Sequence, residues 1–369
     1  MNQQNPYKSV VKKTKKLLKS GDFKTMPKKL LITGACGFIG HHCVEHLLKN
    51  TDWEIIILDA LTYAGNLNRL TDIDIWEQEK HRVKFIWHDL KSPISETTHK
   101  MIGDLDYIWH LAAESHVDRS LEDSIPFATS NVVGTANLLE YVKKYQPNLK
   151  KFNYFSTDEV FGPAPQGYFY KEGDACNPSN PYSASKEGAE AISKAFAFCF
   201  GIPVILTRTM NVFGERQHPE KFIPRTIKAI LNGTPIQIHG ISPNISSRCW
   251  IHAREVCNAL LFLMENGEII EKKHQFDRQH GVYHIVGEEK DVLYLANRIS
   301  KIIKGRELNQ DEIEFIDFHS TRPGHDLRYA LDGGKLKRAG FQYTMSLDDS
   351  FDKMVRWMID EKNIKWLNL

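Results

Sequence analysis

Two adjacent acids, Asp158 and Glu159, stand where an apolar run ends in the stretch NYFSTDEVFG, directly after the hydroxyls of Ser156 and Thr157. Side chains of these types can exchange protons with a bound substrate, because carboxyl groups serve as general acids and bases. An acid pair at the end of a strand can equally be a solvated turn. The choice between the two depends on the other groups that the chain brings to the same place.

Tyr182 and Lys186, in the stretch NPYSASKEGAEAI, form a second candidate pair. Their spacing of four residues puts both side chains on one face of a helix. A tyrosine is a poor base at its usual pKa of about 10. A lysine ammonium one turn away, together with the positive charge of an oxidised nicotinamide, favours the phenolate and lowers that pKa. The same spacing occurs on many helix surfaces, so the pair indicates chemistry only beside a cofactor site.

A glycine-rich turn predicts that cofactor site. The stretch ITGACGFIG follows the first apolar run and places Gly34, Gly37 and Gly40 at intervals of three. These glycines allow a sharp turn, a close backbone approach to a pyrophosphate, and tight packing of helix on strand. Asp59 ends the second apolar run, 19 residues after Gly40, at the position of an acid that binds ribose hydroxyls. Its carboxylate repels a 2′-phosphate and the neighbouring Ala60 offers no cation, so the sequence predicts NAD rather than NADP.

Further cofactor contacts are predicted where the next two apolar runs end. Asp89 and Leu90 follow the third run and are expected beside the adenine, whereas residues 111–113 follow the fourth and are expected beside the nicotinamide ribose. The predicted NAD contacts are Gly34, Gly37, Phe38, Ile39, Gly40, Asp59, Asp89, Leu90, Leu111, Ala112, Ala113, Tyr182 and Lys186.

The elements that must position these groups alternate along the first part of the chain. Short apolar runs occur at residues 29–33, 54–58, 83–87, 106–111, 151–155 and 203–207, and segments of helical periodicity such as 38–49 and 131–145 lie between them. This alternation predicts βαβ units and a parallel sheet covered on both faces. After Arg208 the pattern becomes less regular. The sequence therefore predicts an α/β fold: a basic, flexible extension over 1–26, a doubly wound parallel Rossmann sheet that binds NAD over 27–208, and a smaller C-terminal lobe formed mostly by 209–369.

Composition narrows the class of protein. A hydrophobic fraction of 41% and a charged fraction of 25% are typical of globular domains, and no run reaches the roughly 18 apolar residues of a membrane span. Residues 1–29 hold nine lysines and one acid, so the rest of the chain is acidic and nucleic-acid binding is not indicated. Six cysteines without a C-x-x-C pair predict reduced thiols in a cytoplasmic protein. The 16 scattered histidines show no metal-ligand spacing, and no metal site is expected.

Taken together, the glycine turn, Thr157 and the Tyr182–Lys186 pair resemble the extended short-chain dehydrogenase/reductase superfamily. More closely, the chain resembles nucleotide-sugar 4,6-dehydratases of the dTDP-glucose 4,6-dehydratase kind, in the stretches LDALTYAGNLNRL, LAAESHVDRS, STDEVFG, PYSASKEGAE, HPEKFIP and TRPGHDLRYA. These stretches lie within residues 29–330, so the resemblance covers nearly everything except the basic extension.

The resemblance implies a role for each predicted catalytic residue. Tyr182, assisted by Lys186, takes the proton of the C4 hydroxyl while NAD takes the hydride, and Thr157 hydrogen-bonds the C4 oxygen. Glu159 then removes the C5 proton as base and Asp158 protonates the departing C6 hydroxyl as acid. The hydride returns to C6 while C5 is reprotonated, which gives a 4-keto-6-deoxy sugar and regenerates NAD. One protonated and one ionised carboxyl group are needed, and like-charge repulsion between adjacent acids separates their pKa values.

The resemblance also implies a substrate, most closely dTDP-glucose, with UDP-glucose or UDP-GlcNAc as alternatives. Its contacts map to Ser115, Thr157, Asn211, Lys221, Phe222, Arg248, Arg328 and Tyr329, and a homodimer through helices that include 131–145 and 181–199 is expected. Four positions depart from the family pattern: Cys36 in the glycine turn, Cys249 for an aspartate, His284 for an asparagine near the nucleotide, and Leu327 for an arginine. The last three are expected in the nucleotide-sugar lobe, so they leave the nucleotide and the hexose open.

Three other classes of protein fit parts of the pattern. A nucleotide-sugar C4 epimerase needs oxidation and reduction at C4 but has no use for two acids beside Thr157, and a UDP-glucuronate decarboxylase needs cations aimed at a C6 carboxylate. A non-catalytic NAD-binding protein would be expected to have lost Tyr182, Lys186 or the acids, and this chain keeps all of them.

Overall fold

The computed structural model describes residues 27–241, 244–316 and 328–369. The predicted basic extension over 1–26 and the departure at Leu327 lie outside these residues. The strands, in chain order, are β1 Lys29–Thr33, β2 Glu54–Asp59, β3 Val83–Trp87, β4 Tyr107–His110, β5 Lys151–Thr157, β6 Val204–Thr209, β7 Asn211–Phe213, β8 Ile236–Ile241, β9 Asn244–Ile245, β10 Ser247–His252, β11 Val282–Ile285, β12 Glu288–Asp291 and β13 Ile313–Ile316.

Helices connect and cover these strands. The α-helices described are Phe38–Asn50, Asn68–Thr71, Trp76–Glu79, Glu96–Ile102, Val117–Glu122, Ile125–Phe127, Gly134–Tyr145, Pro181–Phe200, Phe222–Asn232, Ala253–Asn266, Val292–Lys304, Gly334–Arg338 and Leu347–Ile359, and a π-helical stretch, Ala128–Val133, runs directly into Gly134–Tyr145. No helix in the described part of the chain combines the length and the apolar character that crossing a membrane requires.

The main sheet has seven parallel strands in the order β11-β6-β5-β4-β1-β2-β3. Its strands are apolar on both faces, since Leu30 and Ile32 pack into one buried cluster and Leu31 packs into another on the opposite face. Such burial on both faces is the reason why the predicted runs were continuous rather than alternating. The doubly wound Rossmann sheet predicted from the sequence is confirmed.

Two small sheets, β12-β10-β7 and β13-β8-β9, lie in the C-terminal part of the chain. A separate buried cluster that includes Phe213, Trp250 and Phe351 packs there. Strand β11 belongs instead to the main sheet, where it pairs with β6, so the chain returns to the first lobe after residue 208. We propose that the NAD-binding domain comprises 27–208 together with this strand, and that most of 209–369 binds substrate.

One expectation about this region is wrong. His284, expected in the nucleotide-sugar lobe, lies instead in β11 of the main sheet and is fully buried. Its Nδ1 is 3.2 Å from the Asp332 carbonyl oxygen and its Nε2 is 3.4 Å from Nη1 of Arg208. Because β11 adds to the main sheet, the side chain packs inside the fold rather than facing the cavity described below.

Candidate active site

A cavity of about 430 Å³ opens at the carboxyl ends of the main-sheet strands, where ligands bind in open parallel sheets. Every residue predicted to contact NAD lines it, and so does every predicted catalytic residue. Of the predicted substrate contacts, Ser115, Thr157, Asn211, Lys221 and Phe222 also line this cavity. Groups separated by nearly 190 positions in the chain therefore share one space.

The glycine turn at one end of this cavity fits a dinucleotide. Gly34 has a φ of +73°, and a Cβ there would lie 2.8 Å from the backbone of Ala112. A Cβ on Gly40 would lie 2.3 Å from the Gly34 carbonyl oxygen, whereas one on Gly37 would meet only that oxygen, at 3.1 Å. The helix Phe38–Asn50 begins without a side-chain cap. Its first N–H groups are therefore left for an anion such as a pyrophosphate.

Asp59 ends β2 at the wall of this cavity. Its Oδ2 accepts a hydrogen bond from the Cys36 N–H at 2.9 Å, and its Oδ1 accepts one from the Leu61 N–H at 2.8 Å. The carboxylate thereby fixes both the glycine turn and the loop after β2. Its remaining lone pairs are available to ribose hydroxyls, as predicted for NAD.

Arg69 supports the same turn and was not predicted from the sequence. This buried side chain donates to the carbonyl oxygens of Cys36 at 3.1 Å, Ala64 at 2.6 Å and Arg216 at 3.1 Å. Its partners lie up to 147 positions away in the chain. No local pattern of residues could have indicated this contact.

The acid pair and its threonine come from the end of β5. Asp158 and Glu159 open a short 3₁₀ turn, Asp158–Phe161, that Thr157 caps by accepting the Glu159 N–H at 3.3 Å. The Thr157 hydroxyl also donates to Oδ1 of Asp158 at 3.0 Å. Asp158 is only 4% exposed, so the alternative of a solvated turn is excluded.

Tyr182 and Lys186 lie on the helix Pro181–Phe200, which faces the acid pair. The helix begins where it does because Asn180 caps it, accepting the Ser183 N–H at 2.9 Å, and because a proline stands at its first position. Both functional side chains are buried. Lys186 Nζ donates to the Phe155 carbonyl oxygen at 2.6 Å and lies 4.5 Å from the centre of the Tyr154 ring.

Burial controls the protonation of the acids. Loss of solvent raises the pKa of Asp158 to about 6. It raises the pKa of Glu159 to about 7, with a further contribution from the negative charge of Asp158. The nearby guanidinium of Arg248 opposes both shifts. Near neutral pH the pair can therefore hold one proton between two carboxyl groups, and it titrates as a unit.

The expected lowering of the Tyr182 pKa is not found in the protein alone. Burial raises the pKa of this phenol, the charge of Glu159 raises it further, and a hydrogen bond with Thr157 acts in the opposite direction. Burial also lowers the pKa of Lys186 to about 7, while the charge of Glu190 opposes that shift. In the free protein, desolvation of Tyr182 and Lys186 thus outweighs the lowering of the Tyr182 pKa that a lysine one helical turn away predicts.

Behind Lys186 lies a buried ion pair that the sequence did not reveal. Glu190, one turn further along the same helix, accepts from Nε and Nη2 of Arg208 at 2.9 and 2.7 Å. Both side chains are 1% exposed. The bidentate geometry fixes the carboxylate of Glu190 on the side of the helix that carries Lys186.

Glu220 lines the cavity and contacts a tyrosine and a lysine that also line it. The hydroxyl of Tyr63 donates to its Oε1 at 3.4 Å, and Lys221 Nζ lies 3.7 Å from the same oxygen. The guanidinium of Arg119 stacks 3.7 Å from the centre of the Tyr63 ring. Lys221 Nζ also donates to the Ser115 carbonyl oxygen at 3.4 Å, so two predicted substrate contacts touch each other.

Three predicted substrate contacts do not line the cavity. Arg328 pairs with Glu289 at 2.7 and 3.0 Å and donates to two backbone carbonyls, so its fork is engaged within the protein. Tyr329 is 2% exposed and lies 4.8 Å beneath the guanidinium of Arg248. Arg248 reaches the site through its charge, which acts on both acids.

Comparison with known proteins places this architecture among relatives. A family model described as GDP-mannose 4,6 dehydratase matches residues 31–354. The low-salt glycan biosynthesis protein Agl12 of Haloferax volcanii is 37% identical over 333 residues, which cover 90% of this chain and 99% of that protein. The dTDP-glucose 4,6-dehydratase of Salmonella typhimurium is 34% identical over 362 residues, covering 92% and 94%.

A solved structure shares the fold as well. The crystal structure of DesIV, a dTDP-glucose 4,6-dehydratase of Streptomyces venezuelae with NAD bound, matches with a TM-score of 0.78 and 32% identity. The match covers 91% of this chain and 98% of that one.

Proposed function

We propose that this chain, which belongs to the GDP-mannose 4,6-dehydratase family and is therefore an NAD-dependent nucleotide-sugar 4,6-dehydratase, converts dTDP-glucose to its 4-keto-6-deoxy product and water. The observation that carries the proposal is the meeting of Thr157, Asp158 and Glu159 with Tyr182 in the cavity that holds the glycine turn. The resemblance to dTDP-glucose dehydratases supports the choice of nucleotide.

Oxidation at C4 is assigned to Tyr182 and Thr157. The phenol takes the C4 hydroxyl proton while the Thr157 hydroxyl holds the C4 oxygen. When bound, NAD accepts the C4 hydrogen with its electron pair and later returns it to C6. Because burial raises the pKa of Tyr182, the phenolate needs positive charge close by, and Lys186 is the cation on the same helix face.

Elimination of water is assigned to the acid pair. The C4 ketone acidifies the C5–H bond, and Glu159 removes that proton. The electron pair forms the C5–C6 double bond as the C6–O bond breaks, and Asp158 supplies the proton with which the hydroxyl leaves as water. Glu159 then returns its proton to C5. The proton that Tyr182 took from the C4 hydroxyl replaces the one that Asp158 gave to water, so all three groups return to their starting states and the reaction is redox-neutral.

The position of the shared proton places a condition on these roles. In the free protein burial raises the pKa of both carboxyl groups, and the pair shares its proton as a unit. The roles require that the proton lie on Asp158 when the C4 ketone has formed. We propose that bound substrate places it there, since a sugar hydroxyl that accepts a hydrogen bond from Asp158 favours its protonated, donating form.

Substrate binding is assigned to the far end of the cavity. Lys221 supplies a cation for the diphosphate, and Phe222 supplies an aromatic wall for the base. Ser115 and Asn211 offer hydrogen bonds beside them. Arg248, Arg328 and Tyr329 stay predicted substrate contacts. They can bind the nucleotide only if it displaces the protein groups that they contact now.

Assembly and location are also proposed. A homodimer through the continuous helical stretch Ala128–Tyr145 and the helix Pro181–Phe200 is supported by exposed apolar side chains there, because Val133 and Phe200 are 45% and 50% exposed. Light scattering on the purified protein tests this assembly. The six free cysteines support a cytoplasmic location.

A substrate panel tests the function. The protein is incubated with NAD and dTDP-glucose, UDP-glucose or UDP-GlcNAc, and products are analysed by mass spectrometry. We expect a product lighter by one water, formed fastest from dTDP-glucose and without net NADH. C4 inversion without loss of water on every sugar would overturn the proposal, and faster dehydration of a UDP-sugar would change the nucleotide alone.

An acid variant tests the division of labour. Asp158→Asn should slow product formation by about 10²–10⁴-fold, because the leaving hydroxyl loses its proton donor. Oxidation at C4 should persist, so enzyme-bound NADH should accumulate and be visible by its ultraviolet absorbance. Asp104→Asn, at an exposed position, is the matched control. Wild-type turnover by Asp158→Asn would contradict the acid role.

A further inference from the structure

Three metal-ligand side chains meet on the segment between the helix Ala253–Asn266 and β11. Glu271, His274 and His280 each offer a ligand atom, and these atoms lie within 4.8 Å of one another. In the described ranges, 27–241, 244–316 and 328–369, this is the one group of three such side chains with that geometry. It lies outside the cavity of the active site.

The distances within this cluster suit a small transition-metal ion. Nε2 of His280 is 3.8 Å and Nε2 of His274 is 4.0 Å from Oε2 of Glu271. Ligand atoms around a tetrahedral Zn²⁺ lie about 3.3 Å apart, since each bond is about 2.0–2.1 Å long. All three ligand atoms lie within 4.8 Å of one another, so contractions of about 0.5–1.5 Å, reachable by side-chain rotation, close the site. The two imidazole rings already lie together, with their centres 3.9 Å apart.

A second carboxylate lies close to one of the imidazoles. Nδ1 of His280 lies 3.6 Å from Oε2 of Glu268, just beyond hydrogen-bond distance, while the opposite ring nitrogen faces Glu271. Metal-binding histidines commonly donate their non-ligating N–H to a carboxylate, which fixes the tautomer and turns the other nitrogen to the ion. Glu268 stands where it can accept such a bond when the ion binds, and the His280 side chain is only 15% exposed.

The backbone holds these ligands in register. A 3₁₀ turn, Lys272–His274, sets Glu271 and His274 three residues apart, and the His274 N–H donates to the Glu271 carbonyl oxygen at 3.0 Å. Both ends of the segment are fixed to β6, because Ile270 donates to the Val204 carbonyl oxygen at 2.7 Å and the Leu206 N–H donates to Gly281 at 2.9 Å. The ligands thus stand on a loop whose ends are anchored in the main sheet.

We propose that Glu271, His274 and His280 bind one Zn²⁺ ion that braces this segment. Imidazole nitrogen and carboxylate oxygen are ligands that Zn²⁺ accepts, and a water completes the fourth position. The ammonium of Lys273, now 2.9 Å from Glu271, is displaced into solvent, which costs little because that side chain is 67% exposed. The turn lies against the helix Pro181–Phe200, and its three ligands lie outside the cavity that Tyr182 lines.

A zinc titration tests this site. Untagged full-length protein is stripped with a chelator, dialysed, and titrated with Zn²⁺ in competition with a chromogenic zinc indicator. We expect one equivalent to bind to the wild-type protein. His274→Gln and His280→Gln should each weaken this binding by at least tenfold, and Glu268→Gln by about tenfold through the lost orientation of His280. Zinc should also raise the thermal midpoint of the wild-type protein more than that of either histidine variant.

His81→Gln is the matched control, because His81 is an exposed histidine that contacts only the Gln78 carbonyl oxygen, at 3.0 Å, among the bonds described. It should bind zinc as the wild type does. Dehydratase activity, which none of these positions serves, should be unchanged in every variant and reports correct folding. Absence of stoichiometric binding, or equal affinity in the two histidine variants and the wild type, would refute the site.

Discussion

Removing the buried carboxylate behind Lys186 should disturb both stability and catalysis. In Glu190→Gln the guanidinium of Arg208 loses its counter-charge and one of the two oxygens that accept from it at 2.9 and 2.7 Å, at a position where both side chains are 1% exposed. Deleting one partner of a fully buried pair costs about 3–5 kcal/mol, because the remaining charge stays desolvated. The Glu172 carbonyl oxygen, 3.2 Å from Nη1 of Arg208, offsets only a small part of that cost.

The same substitution should change the pH dependence of the reaction. Burial lowers the pKa of Lys186 to about 7, and the charge of Glu190 acts in the opposite direction. Without that charge, the pKa of Lys186 falls further, so the ammonium loses its proton at a lower pH. If the cation assists Tyr182, the alkaline limb of the kcat profile should move towards lower pH in Glu190→Gln.

Urea denaturation and a pH–rate profile measure the two effects. Glu187→Gln is the matched control, because it removes a carboxylate from the same helix at a half-exposed position. Replacing both members of the pair, as in Glu190→Leu with Arg208→Met, should be less destabilising than Glu190→Gln, since no unpaired charge remains. A loss of less than about 1 kcal/mol in Glu190→Gln, together with an unshifted alkaline limb, would refute the reasoning.

Two further predictions concern the glycine turn and acid stability. Gly34→Ala should abolish NAD binding in a calorimetric titration, because the new Cβ would meet the backbone of Ala112 at 2.8 Å. Gly201→Ala is the control, since Gly201 has a similar φ of +69° but open space around it. This control variant should lose only about 1–2 kcal/mol of stability and bind NAD normally. Burial lowers the pKa values of His42 and His110 to about 3 each, so the folded protein excludes protons that the unfolded chain binds below about pH 6.5. Each of these two histidines should therefore lower the free energy of unfolding by about 1.4 kcal/mol per pH unit as the pH falls from about 6.5 to about 3. An unchanged midpoint of urea denaturation across that range would contradict the prediction.

The sequence by itself determined the architecture of the NAD-binding half and the catalytic and NAD-contacting residues that were predicted to line its cavity. Apolar runs predicted the first six strands of the main sheet, because strands buried on both faces must be apolar throughout. The glycine turn, the acid pair and the Tyr182–Lys186 pair were recognisable because each depends on neighbours within a few residues. The carboxyl ends of parallel strands share one edge of a sheet, so these local groups were bound to meet there.

Only the tertiary structure decided what joins distant parts of the chain. Arg69 supports the glycine turn through a partner 147 positions away, and His284 belongs to the main sheet because β11 pairs with β6. The ligands of the proposed zinc site meet through a turn anchored in β6, at a spacing that no pattern marks. The pKa values of Asp158 and Tyr182 likewise follow from burial, which is set by all the elements that enclose the cavity. Desolvation and long-range contact are properties of the packed molecule, and local residue order does not contain them.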